Sequence, residues 1–134
     1  MAKLSVAVAA FVRTPGHTPA KTRLASGIGA ENAAEFYRLS LAITEDLLVH
    51  VAQRGVTPYW AVTEAPGLDD PRWQSLPRLW QGEGNLGERQ DRVYRHLLEE
   101  HSVVLLIGAD CPLLAPGDLI MASQHAGGGQ PFVL

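Results

Sequence analysis

Apolar residues in this chain come in two rhythms. Some stretches are apolar at nearly every position, and between them lie longer stretches apolar only at every third or fourth. "LSVAVAAFV", Leu4–Val12, alternates little and is rich in Val and Ala, which suits a central parallel strand covered on both faces. "SVVLLIG", Ser102–Gly108, is the strongest strand signal and is again apolar on both faces. "VTPYWAVT", Val56–Thr63, reads as a strand with Pro58 near its start, and "RLWQ", Arg78–Gln81, as a weaker one. "PFVL" closes the chain as one more strand. Residues 30–54 read as a long helix, with Phe36, Leu39, Ile43, Leu47 and Val51 stacked on one face. Glu31 and Glu35 suit its N-terminus and Gly55 its end.

Two further helices follow from capping signals. In "GEGNLGERQDRVYRHLLEEH", Asn85 with Glu88 three residues later reads as a capping box, and Leu86, Val93 and Leu97 mark the buried face. Pro116 opens a helix running to about Gln124. "EAPGLDDPRWQSLP" is a turn-rich connection with room for one short helical turn. Strands alternating with helices predict an α/β fold, a three-layer α/β/α arrangement around a parallel-dominated sheet. No repeat, low-complexity tract or linker interrupts the pattern, so residues 1–134 are read as a single domain.

Composition narrows the class. An apolar content of 46% with 19% charged residues fits a folded globular domain. No apolar run approaches the ~20 residues that span a bilayer, so no membrane partner is expected. A buried strand explains "MAKLSVAVAAFV" better than a secretory leader, since no clear small-residue cleavage site follows. The single cysteine, Cys111, excludes a disulfide framework and fits a cytoplasmic protein. A net charge of −3 is too mild to attract nucleic acid in bulk.

The charge distribution says more. Residues 1–30 contain Lys3, Arg13, Lys21 and Arg23 and no acid, while all 14 acids lie beyond them. Pro15, Gly16 and Pro19 forbid helix directly after the first strand, so "RTPGHTPAKTRLASG" is a basic loop suited to an anion. Ligands of parallel sheets bind beyond the carboxyl ends of the strands. The loop after the strong strand, "GADCP", brings Asp110 to that same edge. If the two strands are neighbours, cations face a carboxylate across a crevice. Such an arrangement suits a phosphorylated ligand with a hard cation, Mg²⁺ or Mn²⁺, on Asp110.

Simpler roles stand beside these. Lys21 and Arg23 could be solvated charges and Asp110 a turn former. Asp118 reads as helix capping, Cys111 as a packing residue, and His96 and His101 as surface groups. Trp60, Trp73 and Trp80 read as core or pocket wall. Two phosphate motifs are excluded. No Gly-x-Gly-x-x-Gly follows the first strand. A Walker A loop is matched only at Lys21-Thr22, its glycines being replaced by Pro15 and Ala20.

Three ordered stretches nevertheless resemble a little-characterised bacterial family with a glycosyltransferase-A-like, nucleotide-diphospho-sugar transferase fold. "TPGHTPAKTRLA", Thr14–Ala25, is similar to its "T-P-G-x-S-P-x-K-T-R-L-A"; "QGEGNLGERQ", Gln81–Gln90, to its "Q-G-x-G-D-L-G-E-R-M"; and "VVLLIGADCPLL", Val103–Leu114, to its strand followed by "G-x-D-x-P-x-L". The resemblance implies a fold related to molybdenum-cofactor and phospholactate guanylyltransferases. It also implies a metal-dependent nucleotidyl- or glycosyl-transfer reaction on a nucleotide triphosphate or nucleotide-sugar. It makes Arg13, Gly16, Lys21, Thr22 and Arg23 the phosphate-binding set, adds Gly87 and Arg89 from the middle motif, and makes Asp110 the metal ligand and catalytic residue. Asn85 and Gln90 depart from the family pattern, and its later "G-P-A-x-D-G-G-Y" motif does not occur here. The chain is therefore expected to correspond to roughly the first two-thirds of the family domain. The alternative expectation is a non-catalytic nucleotide-binding module, or a homo-oligomer pairing through an open sheet edge.

Overall fold

The computed structural model describes residues 5–15, 29–109 and 132–133. Five parallel strands form one sheet: β1 (Val6–Val12), β2 (Val56–Val62), β3 (Arg78–Trp80), β4 (Val103–Gly108) and β5 (Phe132–Val133), in the order β3-β2-β1-β4-β5. Helix α1 (Ala30–Ala52) connects β1 to β2, and α2 (Leu86–Leu98) connects β3 to β4. Two 3-10 turns, Ala65–Asp69 and Pro71–Trp73, carry the chain from β2 to β3. β1 lies between β2 and β4, so Val12 sits beside Val62, and Phe11 beside Ala61 and Gly108.

The sheet is covered on both faces because its strands are apolar on both faces. Val8, Ala10, Val12, Leu105 and Ile107 point to the α1 side, where Tyr37, Leu41, Leu48 and Val51 meet them. Ala7, Ala9, Val104 and Leu106 point to the α2 side and pack on Val93, Tyr94 and Leu97. Alternate residues of a strand face opposite sides, so each of the two layers draws on every second position. Three-layer α/β/α architecture follows.

On α1 the expected face holds at Leu47 and Val51, which are buried, but not at its first three positions. Phe36, Leu39 and Ile43 are 40%, 55% and 45% exposed, while Ala33, Tyr37, Ser40, Leu41 and Thr44 are buried beside Leu47, Leu48 and Val51. The buried stripe of α1 is thus rotated toward smaller and hydroxyl-bearing residues. Thr44 Oγ1 can be buried because it donates to Ser40 O at 2.7 Å, with Ala109 O at 3.3 Å. The helix ends at Gln53, and Gly55 takes a φ of 88° two residues later. Leu86 is also a correction: it is 52% exposed, while Val93 and Leu97 are buried as expected.

The capping box of α2 is present in full. Asn85 Oδ1 accepts from Glu88 N at 2.9 Å, and Glu88 Oε1 accepts from Asn85 N at 3.0 Å. Trp60 and Trp73 are buried against each other, but Trp80 is 40% exposed, its Nε1 donating to Thr63 O. His101 is more than a surface group. It is half-buried between Ser5 Oγ at 2.7 Å and Tyr59 OH at 2.8 Å. The helix expected from Pro116, with Cys111 and Asp118, lies outside the described residues.

Candidate functional site: a crevice at the carboxyl edge of the sheet

The strand order changes direction at β1. From there the chain runs outward to β2 and β3 on one side, and to β4 and β5 on the other. Neighbouring loops leave such a switch point toward opposite faces and open a crevice between them. A crevice of about 360 Å³ occupies this position, within the size range of small-ligand sites. Phe11, Leu86 and Arg89 line it from the α2 side, and Val12, Tyr37 and Ala109 from the α1 side. Arg13, Thr63, Gln81 and Gly108 complete the described lining.

Two of the site residues expected from sequence, Arg13 and Arg89, are therefore brought into one cavity. Gly87 lies on the exposed first turn of α2, next to Leu86 but not in the lining. Gly16, Lys21, Thr22, Arg23 and Asp110 lie outside the described residues. The described residues do hold the roots of both loops that carry them.

The root of the basic loop is fixed from three directions. Tyr37 of α1 receives the Arg13 N–H on its hydroxyl at 2.7 Å and donates to Arg13 O at 2.8 Å. Glu64 accepts the Thr14 N–H at 2.9 Å, and Trp73 Nε1 donates to Thr14 Oγ1 at 3.0 Å. Thr14 is fully buried by these contacts. Gly67 comes so close that a Cβ there would overlap Thr14 Oγ1, so this position of the β2–β3 connection must stay small. The root of the β4 loop is tied through Ala109 O to Thr44. Tyr37 and Thr44 are seven residues apart, two turns of one helix face, about 10 Å along the axis. One face of α1 thus holds the roots of both loops.

Arg89 reaches the crevice from α2 and is steadied by neutral groups. Its Nη1 donates to Gln81 Oε1 at 2.6 Å, and its Nε lies 3.4 Å from Asn85 O. Gln81 is 1% exposed, and its Nε2 donates to Ala61 O at 2.8 Å. Gly82 and Gly84 make the turn between Gln81 and α2 with φ of 89° and 109°, where side chains are strained. Arg92 closes that turn, its Nη1 donating to Gln81 O and Glu83 O.

The described lining carries two guanidinium groups and no carboxylate. The same lining cannot hold a divalent cation unaided, and no group of three or more His, Cys, Asp or Glu suited to a metal occurs among the described residues. The acid that follows Ala109 in sequence, Asp110, lies outside the described residues. Gln81, Tyr37 and Thr44 were not singled out from the sequence. Only Gln81 carried a signal, as the first residue of the "QGEGNLGERQ" motif.

The profile of a bacterial family described as "Uncharacterized protein conserved in bacteria (DUF2064)" matches residues 33–133. The chain belongs to this family. No curated protein matches it. Among solved structures, the DUF2064 chain is similar to a Desulfovibrio desulfuricans G20 protein provisionally named a nucleotide-diphospho-sugar transferase. The TM-score is 0.71 at 22% identity, over 91% of this chain and 54% of that one. The chain thus spans about half the length of that protein. At this identity the likeness establishes the fold, an α/β nucleotide-diphospho-sugar transferase fold. No helix among the described residues is long and apolar enough to cross a membrane.

Proposed function

We propose that this domain is the nucleotide-binding part of a metal-dependent nucleotidyl- or glycosyl-transferase acting on a nucleotide triphosphate or nucleotide-sugar. The observation that carries the reading is the meeting of Arg13 and Arg89 in one crevice at the β1–β4 switch point, whose described lining has no carboxylate. The fold shared with the Desulfovibrio protein, and the name that protein bears, support it.

In this reading the phosphate oxygens lie against Arg13 and Arg89, joined by Lys21, Thr22, Arg23 and the backbone at Gly16. Guanidinium groups donate to phosphate with paired N–H bonds and keep their charge at any working pH. Asp110 would hold Mg²⁺ or Mn²⁺, which would supply positive charge against the phosphates. Catalysis of this kind rests on fixed charges aimed where negative charge develops, and it asks little covalent work of the protein. The hydrogen-bonded loop roots at Arg13, Thr14 and Ala109 supply that fixity.

Calorimetry with GTP, CTP and UDP-sugars in the presence of Mg²⁺, followed by a product assay, tests the proposal. Binding with turnover supports the transferase. In an intact family member, Asp110→Ala should abolish metal-dependent turnover, while Lys21→Ala should mainly weaken nucleotide affinity; unchanged turnover in Asp110→Ala sinks the assignment. Binding without turnover favours the second reading, a non-catalytic nucleotide-binding or assembly module.

A further inference from the structure

We infer that Gln81 is a positioning residue, which aims the Arg89 guanidinium into the crevice without neutralising it. The inference rests on the reading of the crevice as a phosphate site. Gln81 stands where β3 ends, and its buried amide is spent at both ends, on Ala61 O and on Arg89 Nη1. Its backbone is spent as well: N donates to Val62 O at 2.9 Å, and O accepts from Arg92 Nη1 at 2.9 Å. The side chain is thus locked to the end of β2 and has one acceptor to offer. That acceptor takes one edge of Arg89.

The chemistry of the partner decides what Arg89 can do. A half-buried arginine is commonly paired with a carboxylate, which holds the fork and cancels its charge. Arg89 instead takes a neutral amide oxygen and a backbone carbonyl, and makes no ion pair among the described residues. It is therefore held in place with its positive charge unspent. Its remaining N–H groups have no partner among the described residues, and the side chain lines the crevice. An arginine held by neutral groups loses little further rotamer freedom when it binds, and it meets an anionic oxygen with full charge. Gln81 touches no ligand in this arrangement; it acts through Arg89.

Two variants separate this role from a purely structural one. Gln81→Met removes the amide at similar size. Gln81→Glu keeps an acceptor at the same distance but makes it a carboxylate. The probe is inorganic pyrophosphate, titrated into the full chain by calorimetry at two salt concentrations. Wild type should bind, and each Gln81 variant should weaken binding roughly tenfold, the range of a hydrogen bond to a charged group. In an Arg89→Met background the same Gln81 changes should have no further effect, because coupled residues are non-additive. Gln81→Glu should also flatten the salt dependence.

A second measurement needs no ligand. The Arg89 side-chain ¹⁵N–H resonances should be slowly exchanging in wild type and collapse in Gln81→Met. Failure of wild type to bind pyrophosphate would overturn the phosphate site, and this inference with it. Binding by wild type with equal losses from Gln81→Met in both backgrounds, or with unchanged Arg89 resonances, would overturn the inference and leave the site standing.

Discussion

Replacing Tyr37 by Phe removes one oxygen and tests whether α1 truly fixes the root of the basic loop. The ring is 4% exposed and would remain packed against Val12 and its neighbours. The hydroxyl serves two backbone groups of one residue, accepting the Arg13 N–H at 2.7 Å and donating to Arg13 O at 2.8 Å. An intramolecular hydrogen bond contributes about 1 kcal/mol net, and a buried polar group left unpaired costs about 1–3 kcal/mol. Both bonds here are part-buried, so water relieves some of the loss. The sum for the pair is then about 2–3 kcal/mol. For a chain of this length an unfolding entropy of ~2 cal/mol/K per residue makes 1 kcal/mol equivalent to a shift of roughly 3–4 °C. Thermal unfolding followed by circular dichroism should therefore show Tm lowered by roughly 7–11 °C in Tyr37→Phe. A shift below about 2 °C would mean that the two bonds do not hold the loop root, and the reasoning from α1 to the site would fail.

Gly82→Ala should destabilise by about 1–3 kcal/mol in urea titration, because φ is 89° and the new methyl displaces Arg92 from Gln81 O and Glu83 O. Burial, with Glu100 adding to it, raises the Tyr59 hydroxyl above its ordinary value of 10.0. The folded chain then keeps that proton longer than the unfolded chain. The stabilisation is whole below pH about 10 and is lost as pH rises through the folded value. Tyr59→Phe should therefore lose the part of the alkaline fall in stability that wild type shows above that pH.

Much of the fold was legible from apolar rhythm. β1, β2 and β4 have enough Val, Ala, Leu and Ile to declare themselves, and the Asn85–Glu88 pair announced the start of α2. The face of α1 was legible only at its C-terminal end, at Leu47 and Val51. A count of large apolar residues favours Phe36, Leu39 and Ile43, yet the buried stripe is built from Ala33, Tyr37, Ser40 and Thr44. Tyr37 and Thr44 are buried there with long-range hydrogen-bond partners. Tyr37 meets Arg13 across 24 residues, and Thr44 meets Ala109 across 65. No local pattern encodes such pairs.

The candidate site divides the same way. Arg13 could be named from the strand-loop signal and Arg89 from the family resemblance of "QGEGNLGERQ", and both line the crevice. Leu86 looked like core by spacing, but as the first residue of α2 it faces the crevice. Gln81 is polar and follows a three-residue strand, so nothing in its surroundings marks it as buried. Its role appears only when Ala61 and Arg89 are placed on either side of it.

Phosphate is proposed to bind at the carboxyl edge of the sheet, between β1 and β4. Amide chemical-shift mapping during titration with a nucleotide that binds in the presence of Mg²⁺ tests it most directly. The account predicts that the largest shifts among the described residues fall on Val12, Arg13, Gly108 and Ala109, with the Arg89 side chain following. Shifts concentrated instead at the opposite edge, around Ser5, Tyr59 and His101, would contradict it.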